Sequence, residues 1–379
     1  MNILHVYRTY FPDTPGGLQE AIRQIALSTK KKGTNSKIFC LSPDPNPSDL
    51  DFEEAKVIRA KSWITPGNND IGLLKSLIEY RKLAQWADII HFHFPWPFAD
   101  LLHLVISSKK PAIMTYHCDV MGKKFLFEIY RPILKKMLKK MKKIIATSPN
   151  NMKSSKILKQ VEDTKLMYIN YGLEENQYKN YISKGNSIDI KEKFGLENEN
   201  YFLFLGILRE YKGLRFLYEA SNKVDFKIAV AGGGQHGNDA SVNKLKVDSL
   251  KYKNISLLGE TTNEEKMALI KGCKGLILPS HSRAEAFGIV LLEASIMKKP
   301  LISCEIGTGT SFANIDNETG FVVEPEKPEL LANAMKKLMN DQDLATKLGL
   351  GARRRFDEMF TSEKVGKSYF DVYEEILNE

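Results

Sequence analysis

Apolar and polar positions alternate along the first half of the chain in two rhythms. Short apolar runs at 3–7, 37–42, 56–62, 88–94, 112–117, 143–147 and 165–170 read as buried strands. Between them, apolar residues recur at helical spacing near 18–32, 71–87, 99–108, 122–141 and 150–160. Alternation of this kind predicts a parallel sheet wound with helices on both faces, whose ligands gather at the carboxyl ends of the strands. Residues 174–200 break the rhythm: they are rich in Asn, Lys and Glu and lack a long apolar run, which predicts an interdomain linker. The alternation then resumes, with strands at 201–205, 226–231, 255–258, 275–278, 301–304 and 320–323. Helices are expected near 213–222, 239–251, 263–271, 286–297, 328–340 and 344–356. The last stretch, 362–377, lines up Val365, Tyr369, Val372, Tyr373 and Ile376 as one helical stripe. The expected fold class is α/β: two doubly wound domains, 1–173 and 201–361, with a cleft between them.

A chain of 379 residues suffices for two such cores, and 43% hydrophobic with 27% charged residues excludes a disordered chain. The formal charge of +9 invites an anionic partner. Its distribution is uneven. Between Lys123 and Lys143 there are nine basic residues (Lys123, Lys124, Arg131, Lys135, Lys136, Lys139, Lys140, Lys142, Lys143) against the single acid Glu128, a local +8. Ile133, Leu134, Met137, Leu138 and Met141 form one apolar stripe in this segment. The segment is either a solvated helix face or a surface attracted to an anionic leaflet; no aromatic residues interleave with the lysines on its polar face, so it does not read as a nucleic-acid groove. The cysteines, Cys40, Cys118, Cys273 and Cys304, lack paired spacing for zinc or a disulfide framework, which fits a reducing cytoplasm. The N-terminus reads as a strand rather than a signal peptide, and no window offers the ~20 apolar residues of a bilayer span. Any membrane contact is therefore expected from the surface.

The stretch Glu285-Ala-Phe-Gly-Ile-Val-Leu-Leu-Glu293 follows a predicted buried strand and opens a segment of helical spacing. A helix N-terminus presents unpaired amides and the positive end of a dipole, and these bind phosphate. Gly288 would let a ligand approach closely. At 1.5 Å rise the two carboxylates stand roughly 12 Å apart, about the span of a sugar nucleotide from hexose to ribose. The alternative is an amphipathic helix with two solvated glutamates. Arg209 and Lys212-Gly213 follow another strand and offer two cations for a diphosphate, or else form a solvated turn. Gly16-Gly17 opens the first helix, and Gly232-Gly233-Gly234 closes a strand; each is a turn that either passes close to a ligand or does not.

His91 and His93 share one face of a strand, but sequence spacing supplies no third metal ligand, so a core histidine is the reading for His91. His117, at a strand's carboxyl end, is expected to donate a hydrogen bond to a sugar hydroxyl. The Asp49-Leu-Asp51 pair reads as a solvated loop rather than a metal chelate.

Taken together, Gly16-Gly17, His117, Arg209 with Lys212-Gly213, and Glu285-x7-Glu293 resemble the retaining glycosyltransferases of family 4 over nearly the whole chain. The resemblance implies the GT-B fold of two Rossmann-like domains and a final helix, 362–379, returning to the first domain. It also implies roles. Gly16 and Gly17 would face the donor phosphate, Gly233 would be a further donor-binding position, His117 would touch the transferred sugar, and Arg209 and Lys212 would hold the diphosphate. Glu285 would contact the sugar, Phe287, Gly288, Ile289 and Val290 would present amides, and Glu293 would bind the ribose. One departure stands out: Ile207 follows Gly206 where many members carry arginine, and the arginine here is Arg209. The Leu208-Arg-x-Tyr-Lys-Gly213 form, with the stretches 93–100 and 305–311, is similar to bacterial O-antigen mannosyltransferases that use GDP-mannose. That likeness implies a nucleotide-sugar donor, a lipid-linked glycan acceptor, a peripheral place on the inner face of the cell membrane, and no metal cofactor. A sugar-nucleotide epimerase of the same fold, or a surface binder acting through the basic segment, are the competing classes.

Overall fold

The computed structural model describes residues 1–65, 70–120, 124–234 and 240–379. Lys123, the expected helix start at residue 122, and Asp239 lie outside them. The chain forms two compact units, one of Met1–Gly172 with Ser362–Glu379 and one of Leu173–Thr361.

The first unit holds strands β1 (Asn2–Val6), β2 (Asn35–Ser42), β3 (Asp49–Asp51), β4 (Lys56–Ile64), β5 (Ile71–Gly72), β6 (Ile89–Phe94), β7 (Ala112–Tyr116), β8 (Lys143–Ala146) and β9 (Leu166–Tyr168). Its helices are α1 (Gly17–Lys30), α2 (Leu74–Trp86), α3 (Pro97–Ile106), α4 (Lys124–Lys140), α5 (Pro149–Ser154) and the C-terminal helix Ser362–Asn378. Among the described residues the sheet order is β3-β4-β2-β1-β6-β7-β8-β9, parallel except where β3 and β5 pair antiparallel with β4. Both faces of the central strands are covered, so β1, β6, β7 and β8 are buried and largely apolar. Leu4, Val6, Phe92, Phe94, Met114 and Ile144 point into one core. Their neighbours Ile3, Ile89, Ile113 and Ile145 point into another, against Val365, Tyr369, Val372, Tyr373 and Ile376 of the C-terminal helix. That stripe is why the last helix belongs to this unit, each such side chain contributing about 1.5–3 kcal/mol on burial.

The second unit holds β10 (Tyr201–Leu205), β11 (Lys227–Ala231), β12 (Ile255–Gly259), β13 (Gly275–Leu278), β14 (Leu301–Cys304) and β15 (Gly320–Val323), in the order β12-β11-β10-β13-β14-β15, all parallel. Around it lie α6 (Glu175–Gly185), α7 (Ile190–Phe194), α8 (Leu214–Ser221), α9 (Ala240–Ser249), α10 (Asn263–Gly272), α11 (Ile289–Ile296), α12 (Thr310–Ala313), α13 (Pro328–Asn340) and α14 (Gln342–Met359). Each unit is the doubly wound α/β fold expected from the alternation.

Two expectations need correction. The segment 174–200 is no linker: α6 packs on α10, and Asp189 caps α7, whose other end closes on Gly195 in the left-handed conformation. Its buried apolar residues, Tyr178, Ile190 and Leu196, are too widely spaced to register as an apolar run. The Asp49–Asp51 segment is an edge strand rather than a loop, with Asp49 paired to Lys56 at 3.0 Å on the surface.

Candidate active site

In the second unit the chain leaves β10 toward β11 and β12 on one side, and later returns to add β13, β14 and β15 on the other. Strands β10 and β13 are therefore the neighbours between which the winding reverses, and doubly wound sheets bind ligands outside the carboxyl ends of such a pair. The loops leaving those two strands are laced together. A β-carbon on Gly213 would stand 2.0 Å from the Pro279 carbonyl oxygen, and at φ 73° the position also favours glycine. The His281 amide donates to the Tyr211 carbonyl at 3.0 Å, and the His281 ring meets the Glu210 carbonyl at 3.1 Å.

Between these loops Lys212 donates to Glu285, and Ser280 donates to the same carboxylate oxygen at 3.1 Å. Both members of the pair are buried, with 12% and 9% of their side chains exposed. Burial alone would lower the Lys212 ammonium; the adjoining Glu285 carboxylate and Tyr211 outweigh it and hold the lysine above its ordinary value. Arg209 sits half-buried in the same loop, at the start of the short turn that carries Lys212.

Sequence spacing misplaces the start of the following helix. Gly288, at φ 83°, caps α11 from the left-handed region, so Glu285, Ala286 and Phe287 precede the helix. The two glutamates hence do not ride one helix, and the 12 Å rise does not describe them. Phe287 is buried against Phe360, which leaves its backbone to line the loop. The first-turn amides of α11, from Ile289 and Val290, have no carbonyls within their own helix to accept them. Glu293 lies a turn further on, buried, accepting from Tyr178 at 3.0 Å and from Lys266 at 2.6 Å. Tyr178 comes from α6, in the segment expected to be a linker, and Lys266 from α10. Neither was legible beforehand. Ser280 carried a signal, since it lies two residues past the predicted strand at 275–278.

Gly233 is less a ligand cradle than a packing position: a β-carbon there would come within 2.1 Å of the Glu260 side chain. Its carbonyl accepts from Leu208 at 2.9 Å, tying the loop after β11 to the loop after β10.

Gly16, Gly17 and His117 belong to the first unit. There the winding reverses between β1 and β6. Gly16 caps α1 at the carboxyl end of β1, and Gly17 is the first, exposed residue of that helix. The His117 ring is fully buried, and both of its nitrogens are taken, Nε2 by His93 Nδ1 at 3.0 Å and Nδ1 by the Tyr171 hydroxyl. The expected hydrogen bond to a sugar therefore requires Tyr171 to yield its place. His91 is a satisfied core residue, held by Tyr373 at 2.8 Å and by Thr115 at 2.7 Å. A third histidine does join His91 and His93: His5, from β1, brings one ring nitrogen from each to within 4.8 Å of the others. Strand pairing supplies it, opposite His91.

The basic segment forms α4, which buries Leu134, Met137 and Leu138 and exposes Lys135, Lys136, Lys139 and Lys140. Lys142 and Lys143 beyond it are paired with Glu379 and Glu375, both at 2.9 Å. The first turns expose large apolar side chains, Phe125 at 78%, Leu126 at 57% and Ile129 at 60%. No helix among the described residues is long and apolar enough to cross a membrane.

Two doubly wound units, each with polar groups at its switch point, define the GT-B class, and the family models agree. Residues 15–173 match glycosyltransferase family 4, and residues 186–355 match glycosyl transferases group 1. The chain belongs to this family of glycosyltransferases. It is 36% identical to the O-antigen chain mannosyltransferase C of Escherichia coli, over 100% of this chain and 99% of that one. It is 35% identical to the D-rhamnosyltransferase WbpZ of Pseudomonas aeruginosa, over 96% and 93% respectively. The fold is similar to that of Anabaena Alr3699/HepE in complex with UDP-glucose, with a TM-score of 0.79 at 16% identity, covering 99% of this chain and 100% of that one.

Proposed function

We propose that this glycosyltransferase moves a mannose from GDP-mannose to a hydroxyl of a lipid-linked glycan in O-antigen synthesis, keeping the anomeric configuration. The observation that carries the reading is the buried Lys212–Glu285 pair at the β10/β13 switch point, beside the open first turn of α11. A departing diphosphate develops negative charge, and Lys212, Arg209 and the amides of Ile289 and Val290 are the groups that would meet it; preorganised donors of this kind stabilise charge where it forms. Glu285, held by Lys212 and Ser280, would orient the sugar. Glu293 would exchange Tyr178 or Lys266 for ribose hydroxyls. The diphosphate itself would help to take the acceptor's proton on the face it leaves, so no metal is required and EDTA would leave transfer intact.

The relative whose name gives D-rhamnose stands at an identity close to that of the mannosyltransferase, which favours a GDP-linked rhamnosyl donor as the second reading. The two sugars differ by one hydroxyl group, and a site built to bond a hydroxyl rejects the analogue that lacks it. The exposed lysines and apolar side chains of α4 support a peripheral place on the anionic inner face of the cell membrane. A melting series of the full-length protein with GDP-mannose, GDP-rhamnose, UDP- and ADP-sugars tests the donor. At 100 times Kd the true donor stabilises by about 2.7 kcal/mol. A rise only with UDP- or ADP-sugars would refute the guanosine donor.

A further inference from the structure

Four histidines of the first unit share one face of its sheet. His5 on β1 stands opposite His91 on β6, His93 opposite Thr115 on β7, and His117 two residues past Thr115. Three of the rings form a continuous file. His5 Nδ1 meets His93 Nε2 at 3.1 Å, His93 Nδ1 meets His117 Nε2 at 3.0 Å, and His117 Nδ1 meets the Tyr171 hydroxyl. His91 lies against this file with its own partners, Tyr373 and Thr115. At its far end the buried His5 Nε2 has no hydrogen-bond partner among the described residues.

Burial keeps the rings neutral, pulling His5 and His117 down to about 3; His93 is lowered by burial first and then by its histidine neighbours. A neutral imidazole carries one N–H and one lone pair. A file with two ring-to-ring bonds then has only two complete orders, every hydrogen on Nδ1 or every hydrogen on Nε2. The second would bury an N–H of His5 with nothing to accept it. The first leaves only a bare lone pair there, the less costly kind of orphan.

From this geometry we infer that His5 and His93 are positioning residues that hold His117 in its Nδ1–H tautomer, pointing a donor, and never an acceptor, at the place occupied by the Tyr171 hydroxyl. The inference rests on the reading above, in which His117 bonds a hydroxyl of the transferred sugar by displacing Tyr171. It adds the cause of that donor role: the order of the file, set from His5 and His93, leaves the hydroxyl no choice but to accept. It also assigns His5 Nδ1 and both ring nitrogens of His93 to hydrogen bonds rather than to an ion.

The test is long-range proton–nitrogen NMR of the full-length protein labelled at histidine, with donor kinetics on two variants. His93→Asn keeps an N–H where Nδ1 was; His93→Gln moves it to the Nε2 position. In the unaltered protein His117 should show a protonated Nδ1 and a bare Nε2. His93→Asn should preserve both that pattern and the donor KM. His93→Gln should lose the pattern and raise the donor KM about tenfold, the scale of one hydrogen bond, with little change in kcat. A protonated Nε2 on His117, equal behaviour of the two variants, or displacement of the His5 and His93 signals by zinc alone would overturn the inference. Should both variants fail to fold, the spectrum of the unaltered protein decides alone. A His117→Ala variant with unchanged donor KM would sink the reading of His117 as a sugar ligand and leave the proton order standing.

Discussion

Lys212 and Glu285 are 73 residues apart in sequence and share a buried ion pair where the second sheet reverses its winding. Removing one partner strands the other without its counter-charge. Glu285→Ala should therefore lower transfer by about 10²–10³-fold, the scale of a lost preorganised charge contact, and also lower the melting temperature. Glu285→Gln, which still accepts from Lys212 and Ser280, should melt closer to the parent while activity stays low. Initial rates with paired melting curves check both, and full turnover in either variant would refute the role of the carboxylate.

Glu293 should act on binding rather than on chemistry. Its replacement by Ala removes a group that would hold ribose in ground and transition states alike, so donor KM should rise about tenfold with kcat nearly unchanged. A drop in kcat at constant KM would place it nearer the reacting centre.

The histidine file should also make the fold less stable in acid. In the unfolded chain these rings take up protons near pH 6.5; in the folded unit His5 and His117 do so only at about 3. The unfolded state thus binds more protons between those values, and stability falls as pH drops from about 6.5 toward 3. His5→Asn removes one titrating ring and keeps a donor toward His93. Its melting temperature should decline less steeply over that window. Identical slopes would show that the ring is not protonated on unfolding.

Membrane attachment should depend on α4. Each exposed lysine near an anionic surface is worth ~1 kcal/mol, so exchanging Lys135 or Lys139 for Gln should weaken binding to anionic vesicles by about fivefold apiece. Phe125→Ser should weaken it further at high salt, where the charges are screened. Vesicle sedimentation that ignores all three substitutions would exclude α4 as the contact.

Local chemistry was legible in the sequence, and long-range pairing was not. The strand-helix alternation yields both doubly wound units because the central strands are buried on two faces and read as apolar runs. Glu285, Gly288 and Glu293 stand out within nine residues, and Lys212 within its own loop. Their partners come from elsewhere. His5 reaches His93 across 88 residues, and Tyr178 reaches Glu293 across 115. Tyr178 was hidden by a polar segment whose few buried residues never form a run. The start of α11 was missed because helical spacing continues backwards through Phe287, while the left-handed Gly288 ends the helix there.

In the proposed reaction the β10/β13 switch point grips the diphosphate of a sugar nucleotide through Lys212. Calorimetric titration of GDP-mannose into the full-length protein and its Lys212→Met variant tests it most directly. Binding to the parent should be measurable and at least about tenfold weaker in the variant, since a hydrogen bond to a charged group contributes about 1.5–3 kcal/mol. Equal dissociation constants for the two proteins would contradict it.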